Sequence, residues 1–152
     1  MVQTTLFKVA EVELKYSADY KIADRPKINS SASAYDILLQ QWSLNRIDLL
    51  EEFKVLLMNR SNRVLGLVTI SQGGVAGTVA DPKLIFVSAL KAAASSIILA
   101  HNHPSGEMRP SNEDIKLTKR IVEGGKLLDI PVMDHLIISR HRFYSFADEG
   151  LL

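Results

Sequence analysis

The sequence predicts an α/β domain built on a mixed β-sheet flanked by helices. Three observations carry that expectation. Short apolar runs alternate with stretches of helical periodicity through the middle of the 152-residue chain. The run SIILA at residues 96–100 is almost continuously apolar, which suits a central strand covered on both faces. Helix-start signals stand ahead of the helical stretches: Ser33 with Asp36, Asp81-Pro82, and Ser111 with Asp114. The length fits one domain with a buried core. Residues 1–45 read as an N-terminal extension of strand and helix, and residues 46–152 as the core.

Taken in order, AEVELKY (residues 10–16) alternates apolar and polar side chains, the period of a half-buried strand. The polar, proline-containing stretch DYKIADRPKINSS then reads as a connector. Beyond the Ser33 start signal, Tyr35, Leu38, Leu39 and Trp42 recur at helical spacing. A polar bend, SLNRID, leads to a strand over residues 53–58. Residues 59–62 form a turn, and VLGLVTI returns as the hairpin partner. SQGGVAGT is glycine-rich but lacks the G-K-[ST] of a phosphate cradle, so it reads as a flexible loop. Asp81 and Pro82 supply an N-cap and a first-turn proline for a helix through LIFVSALKAAA. After the central strand, residues 112–127 read as a helix weakened by Gly124 and Gly125. VMDHLIIS and FYSFA are closing strands joined by the basic turn RHR.

Composition excludes several chemistries. Lys and Arg number 18 against 17 Asp and Glu, a net charge of +1, so no nucleic-acid or membrane-surface partner is forced. The basic clusters are short and read as solvated faces. With no cysteine, disulfides, thiol nucleophiles and thiolate-bound zinc are all excluded. The opening MVQTTLFKVAEVELKY has no signal-peptide layout, and no apolar run reaches the ~20 residues that cross a bilayer. The expectation is a cytoplasmic protein.

The chemistry is concentrated in SIILAHNHPSGEMRPSNED, residues 96–114. Proline biases His103 before it towards an extended backbone, and residues i and i+2 of an extended chain point the same way. His101 and His103 therefore present two imidazoles to one side, just past the end of the central strand, where α/β sheets place their sites. Asp114 would be a third ligand, and two histidines with one carboxylate leave a coordination position open for water, as in catalytic zinc. Asp114 also fits the first turn of a helix capped by Ser111. The two roles are compatible, because a fixed helix start can aim the carboxylate. A general base would be Glu51 or Glu52, ahead of FKVLLM, and spacing does not choose between them. Asp134 and His135 read as a hydrogen-bonded structural pair, with a supporting role behind the metal as the sharper alternative.

H-N-H-P, six residues, then S-x-x-D resembles the JAMM motif of MPN+ metalloproteases. AHNHPSG, PSNEDIKLTKR and MDHLIIS resemble its RadC-like branch more narrowly, over roughly residues 50–150. The resemblance implies a cytidine-deaminase-like (JAMM/MPN) fold around one zinc ion. His101, His103 and Asp114 match its metal ligands, and Ser111 matches the hydroxyl that steadies the oxyanion. The family's glutamate lies two residues before a strand-opening aromatic, which selects Glu51 as the base. RadC-like proteins commonly carry a helix-hairpin-helix DNA-binding module ahead of this domain. The preceding fifty or so residues here show no glycine-containing hairpin of that kind, so direct nucleic-acid binding is not expected.

The leading expectation is therefore a zinc metallopeptidase or isopeptidase acting on a peptide or protein. One rival is a metal-dependent nucleic-acid-processing hydrolase linked to DNA repair. It is less favoured because two-metal phosphoryl chemistry wants further converging carboxylates. Another rival is a non-catalytic MPN-type binding module, which has no need of an open coordination position. A zinc deaminase would want a P-C-x-x-C ligand pair, which a chain without cysteine cannot supply.

Overall fold

The computed structural model describes residues 8–13, 15, 17–73 and 80–152. Five strands form one mixed sheet: β1 (Glu52–Met58), β2 (Val64–Gln72), β3 (Ser96–Asn102), β4 (Val132–Ile138) and β5 (Phe143–Ser145). Their order is β2-β1-β3-β4-β5, with β3 and β4 parallel and the other neighbours antiparallel. Three helices cover it: α1 (Ser31–Gln41), α2 (Pro82–Lys91) and α3 (Asn112–Leu128). This is the α/β architecture expected.

The strand period of two divides the core. Phe53, Val55, Leu57, Ile97 and Leu99 pack with Ile85 and Ala89 of α2 and Ile121 of α3. Leu56, Met58, Ile98, Ala100, Leu136 and Ile138 pack with Ala34 and Leu38 of α1 and with Trp42. The result is three layers, helix on sheet on helix. All seven residues of β3 are buried, as its apolar run predicts for a central strand. The β1–β2 hairpin also forms, closed by a turn in which Asn59 Oδ1 accepts from the backbone N–H groups of Ser61 and Arg63.

Capping fixes the helix starts. Asp81 accepts from the Lys83 N–H, with Pro82 in the first turn. Ser111 and Asp114 form a reciprocal capping box at α3. At α1 the expected Ser33 start is corrected. Ser30 is the N-cap, and Ser33 sits three residues inside, its hydroxyl accepting from the Ser30 N–H in the place usually filled by Glu or Gln. The strand expected over residues 10–16 is also corrected. Residues 10–13 and 15 are exposed and outside any strand, whereas Leu14 and Tyr16 lie outside the described residues. Alternating side chains stabilise a strand only where a sheet edge receives them. The flexible loop expected at SQGGVAGT falls mostly on residues 74–79, outside the described residues.

The paired glycines of α3 are explained by close approach. A Cβ on Gly124 would stand 2.8 Å from the edge of the Phe86 ring, and one on Gly125 would strike the Ile130 carbonyl oxygen. Helix propensity is given up so that α2 and the chain entering β4 can pack directly on α3. No described helix is long and apolar enough to cross a membrane.

Candidate metal centre

The alternation that builds the core also places the candidate residues. His101 continues the Ile97–Leu99 face of β3 towards α3, and Asn102 continues the Ile98–Ala100 face towards α1. His101 stacks on Phe53 of β1, with ring centroids 5.9 Å apart and planes 6° from parallel. Past the strand end, His103 turns its Nε2 to within 2.9 Å of His101 Nε2.

Helix α3 delivers Asp114 to the same point. Its Oδ2 lies 3.2 Å from His103 Nε2 and 3.4 Å from His101 Nε2. The capping box holds it there, since the same Oδ2 accepts from the Ser111 N–H at 2.9 Å. In return Ser111 Oγ accepts from the Asp114 N–H at 3.0 Å. The cap and the proposed ligand are thus one carboxylate.

The structure separates the two glutamates that spacing left undecided. Glu51 falls on the Phe53 side, and its Oε1 lies 3.9 Å from His103 Nε2. Glu51, His101 and His103 offer atoms that all lie within 4.8 Å of one another, a group that could hold a metal ion. Glu52 turns to the opposite face and is buried there, 3.1 Å from Lys54 Nζ and 3.3 Å from Arg46 Nε.

The donor set fits a divalent cation. A tetrahedral ion bound at about 2.0–2.1 Å holds its ligand atoms roughly 3.3 Å apart, close to the triangle of His101 Nε2, His103 Nε2 and Asp114 Oδ2. Because a carbonyl can only accept, His103 Nδ1 donates to the Glu107 oxygen at 2.8 Å, so that in its neutral form the ring turns a lone pair on Nε2 to the centre. Electron pairs meeting this closely need a cation or a proton between them. The titration shifts agree. Burial raises the Asp114 pKa, but its bonds to His101 and His103 outweigh that and hold it well below the usual carboxylate range. Burial lowers the His103 pKa, yet the neighbouring Asp114 carboxylate leaves it raised overall.

Two supporting groups were not singled out in the sequence. Asn102, between the histidines, donates from Nδ2 to the carbonyls of Ile47 (2.7 Å) and Leu50 (2.8 Å). Its Oδ1 accepts from the Glu52 N–H at 2.8 Å. It therefore ties the segment carrying Glu51 to the histidine strand. Thr118, one turn beyond Asp114, lies with Oγ1 2.7 Å from His135 Nδ1. His135 Nε2 lies 2.8 Å from His101 Nδ1. The i+4 spacing of Thr118 from Asp114 is the one sequence signal that could have found it.

Asp134 and His135, expected as a hydrogen-bonded pair, are joined through the backbone. Asp134 Oδ1 accepts from the N–H groups of His135 (2.7 Å) and Ala147 (3.0 Å), and Oδ2 accepts from the Ser145 hydroxyl (2.6 Å). Their side chains face opposite layers. Burial pushes the Asp134 pKa up and the His135 pKa well down.

Comparisons with known proteins agree with this architecture. The family model of the RadC-like JAB domain matches residues 28–151, including α1 as well as the motif region. A UPF0758 protein of Flavobacterium johnsoniae is 45% identical over 125 residues, covering 82% of this chain and 53% of the relative. A UPF0758 protein of Porphyromonas gingivalis is 50% identical over 103 residues, 67% of this chain and 45% of its own. One from Alkaliphilus metalliredigens is 44% identical over 102 residues, 67% of this chain and 44% of its own. The chain thus spans about half the length of these curated relatives, whose shared name states no activity. With the family model matching most of its length, the chain belongs to the RadC-like JAB domain family.

Proposed function

We propose that the protein is a zinc-dependent peptidase or isopeptidase hydrolysing an amide bond in a peptide or protein. The observation that carries this reading is the convergence of His101 Nε2, His103 Nε2 and Asp114 Oδ2 at 2.9–3.4 Å, with Glu51 beside them. Those three side chains would hold one Zn²⁺, which when bound supplies Lewis acidity to a water and to the substrate carbonyl. Glu51 accepts a proton on its carboxylate from the attacking water and returns it to the leaving amine nitrogen. Ser111 Oγ already accepts from the Asp114 N–H, so its hydroxyl hydrogen is left to donate to the substrate oxygen as charge gathers there. One such preorganised donor is worth on the order of 3 kcal/mol. Phe53 and the buried strand end exclude water from the far side of His101.

The test combines metal content with turnover. Elemental analysis of purified protein should give one zinc per chain, and His101→Ala should remove it. The zinc-loaded protein should cleave members of a peptide and isopeptide library and leave single- and double-stranded DNA intact. Zinc-dependent DNA cleavage without amide hydrolysis would overturn the assignment in favour of a nucleic-acid hydrolase. Stoichiometric zinc without turnover on either substrate class would point to a binding module.

A further inference from the structure

Behind His101 runs a chain of hydrogen bonds whose directions are fixed by chemistry. Thr118 Oγ1 lies 2.6 Å from the Asp114 carbonyl oxygen, which can only accept, so the Thr118 hydroxyl spends its hydrogen there. Towards His135 the hydroxyl oxygen must then accept, which places a hydrogen on His135 Nδ1 at 2.7 Å. His135 is fully buried, with the Phe146 ring stacked at 4.5 Å and the edge of Phe53 at 5.5 Å, surroundings that disfavour an imidazolium. Its Nε2 is therefore bare and accepts, at 2.8 Å, from His101 Nδ1. His101 then carries its hydrogen on Nδ1, and its Nε2 lone pair faces His103 and Asp114.

We propose that Thr118 and His135 are positioning residues that lock His101 into the Nδ1–H tautomer and aim its Nε2 lone pair into the metal centre. The chain starts at the backbone carbonyl of Asp114 and ends at His101, so helix α3 supplies one ligand directly and sets the tautomer of another. Three elements are coupled in this way: α3 through Asp114 and Thr118, β4 through His135, and β3 through His101. Were the Thr118 hydroxyl removed, His135 could place its hydrogen on Nε2. His101 Nδ1 would then have to accept, and its hydrogen would move to Nε2, where it opposes a cation.

This inference rests on His101 being a ligand, and the experiment keeps the two ideas apart. Long-range ¹H–¹⁵N spectra of the metal-free protein report the His101 tautomer, and competition with a chromophoric chelator reports zinc affinity. Wild type should show His101 protonated on Nδ1. Thr118→Val, close in shape, and His135→Phe, which keeps an aromatic ring beside Phe146, should populate the Nε2–H form and weaken zinc binding 10–100-fold. His135→Gln, whose amide oxygen can accept from His101 Nδ1, should recover most of that loss. Thermal denaturation of each variant separates misfolding from mispositioning. An Nε2–H tautomer in wild type, or variants binding zinc within twofold of wild type, would overturn the proposal and leave the zinc assignment standing. An Nδ1–H tautomer that shifts in Thr118→Val would uphold the relay even in a protein that binds no zinc, and only the metal reading would then fail.

Discussion

Glu51 Oε1 stands 3.9 Å from His103 Nε2, whereas Glu52 Oε2 stands 3.1 Å from Lys54 Nζ on the opposite side of the sheet. Two neighbouring carboxylates thus have unrelated surroundings, and their amide variants should fail in different ways. Glu51→Gln should lower turnover by about 10²–10⁴-fold, the usual worth of a positioned acid–base group, while zinc affinity and melting temperature stay near wild type. Glu52→Gln removes one partner of a buried ion pair and should destabilise the fold by about 3 kcal/mol. Steady-state kinetics and thermal melts of both variants check this. Equal turnover losses with equal melting temperatures would contradict it.

That separation also shows what the sequence could and could not disclose. Spacing leaves Glu51 and Glu52 open, because the choice depends on which side of the sheet Phe53 occupies. Once Phe53 is known to pack against His101, period-two alternation puts Glu51 on that side and Glu52 with Lys54 on the other. The histidine pair, the Ser111 cap and Asp114 were legible because proline and a capping box fix local geometry. Thr118 and Asn102 were not, since their partners lie 17 to 55 residues away, and for His135 a supporting role stood only as the alternative to a structural pair with Asp134. The strand expected at residues 10–16 failed for a related reason. Its alternation was genuine, but an edge to receive it is a tertiary fact.

Asn102 should matter to Glu51 without touching substrate. Replacing it with Ala leaves the carbonyls of Ile47 and Leu50 and the N–H of Glu52 without their partner in a buried setting. Unsatisfied groups of this kind cost about 1–3 kcal/mol each, so a large drop in denaturant midpoint is expected. At a temperature where the variant stays folded, kcat should fall while zinc affinity holds, because the segment carrying Glu51 is released and the proposed ligands are not. An unchanged kcat in folded Asn102→Ala would show that the clamp does not position Glu51.

The glycine pair of α3 gives an asymmetric test. In an exposed helix, Gly→Ala gains about 1 kcal/mol. At Gly124 the obstacle is the outer edge of the Phe86 ring, which can swing aside, so Gly124→Ala should change stability little. At Gly125 the obstacle is the Ile130 backbone carbonyl, which also lies on the residue whose N–H bonds Gly125 O at 2.8 Å. Gly125→Ala must push the start of β4 away and should cost more than about 2 kcal/mol. Urea denaturation of both variants decides it, and a stabilised Gly125→Ala protein would refute the close-approach explanation.

Zinc affinity should depend on pH in a way that follows from His103. As a proposed ligand, that imidazole would be neutral at Nε2, and a metal would have to displace the proton held there beside Asp114. The His103 pKa is raised by its bond to Asp114, against an opposing effect of burial. Competition from protons should therefore begin above the ordinary histidine value of about 6.5, and below the raised pKa each pH unit should weaken binding up to tenfold for this one site. Asp114 adds nothing over this range, because its pKa is held far lower. In the metal-free protein the same shift works in the other direction. A raised folded-state pKa stabilises the fold below about pH 6.5 and loses that contribution as the pH rises through the folded value. Chelator competition between pH 8 and 6, paired with melts of the metal-free protein, should show zinc binding strengthening with pH while the His103 contribution to metal-free stability declines. Zinc affinity that stays flat across this range would rule out displacement of a His103 proton.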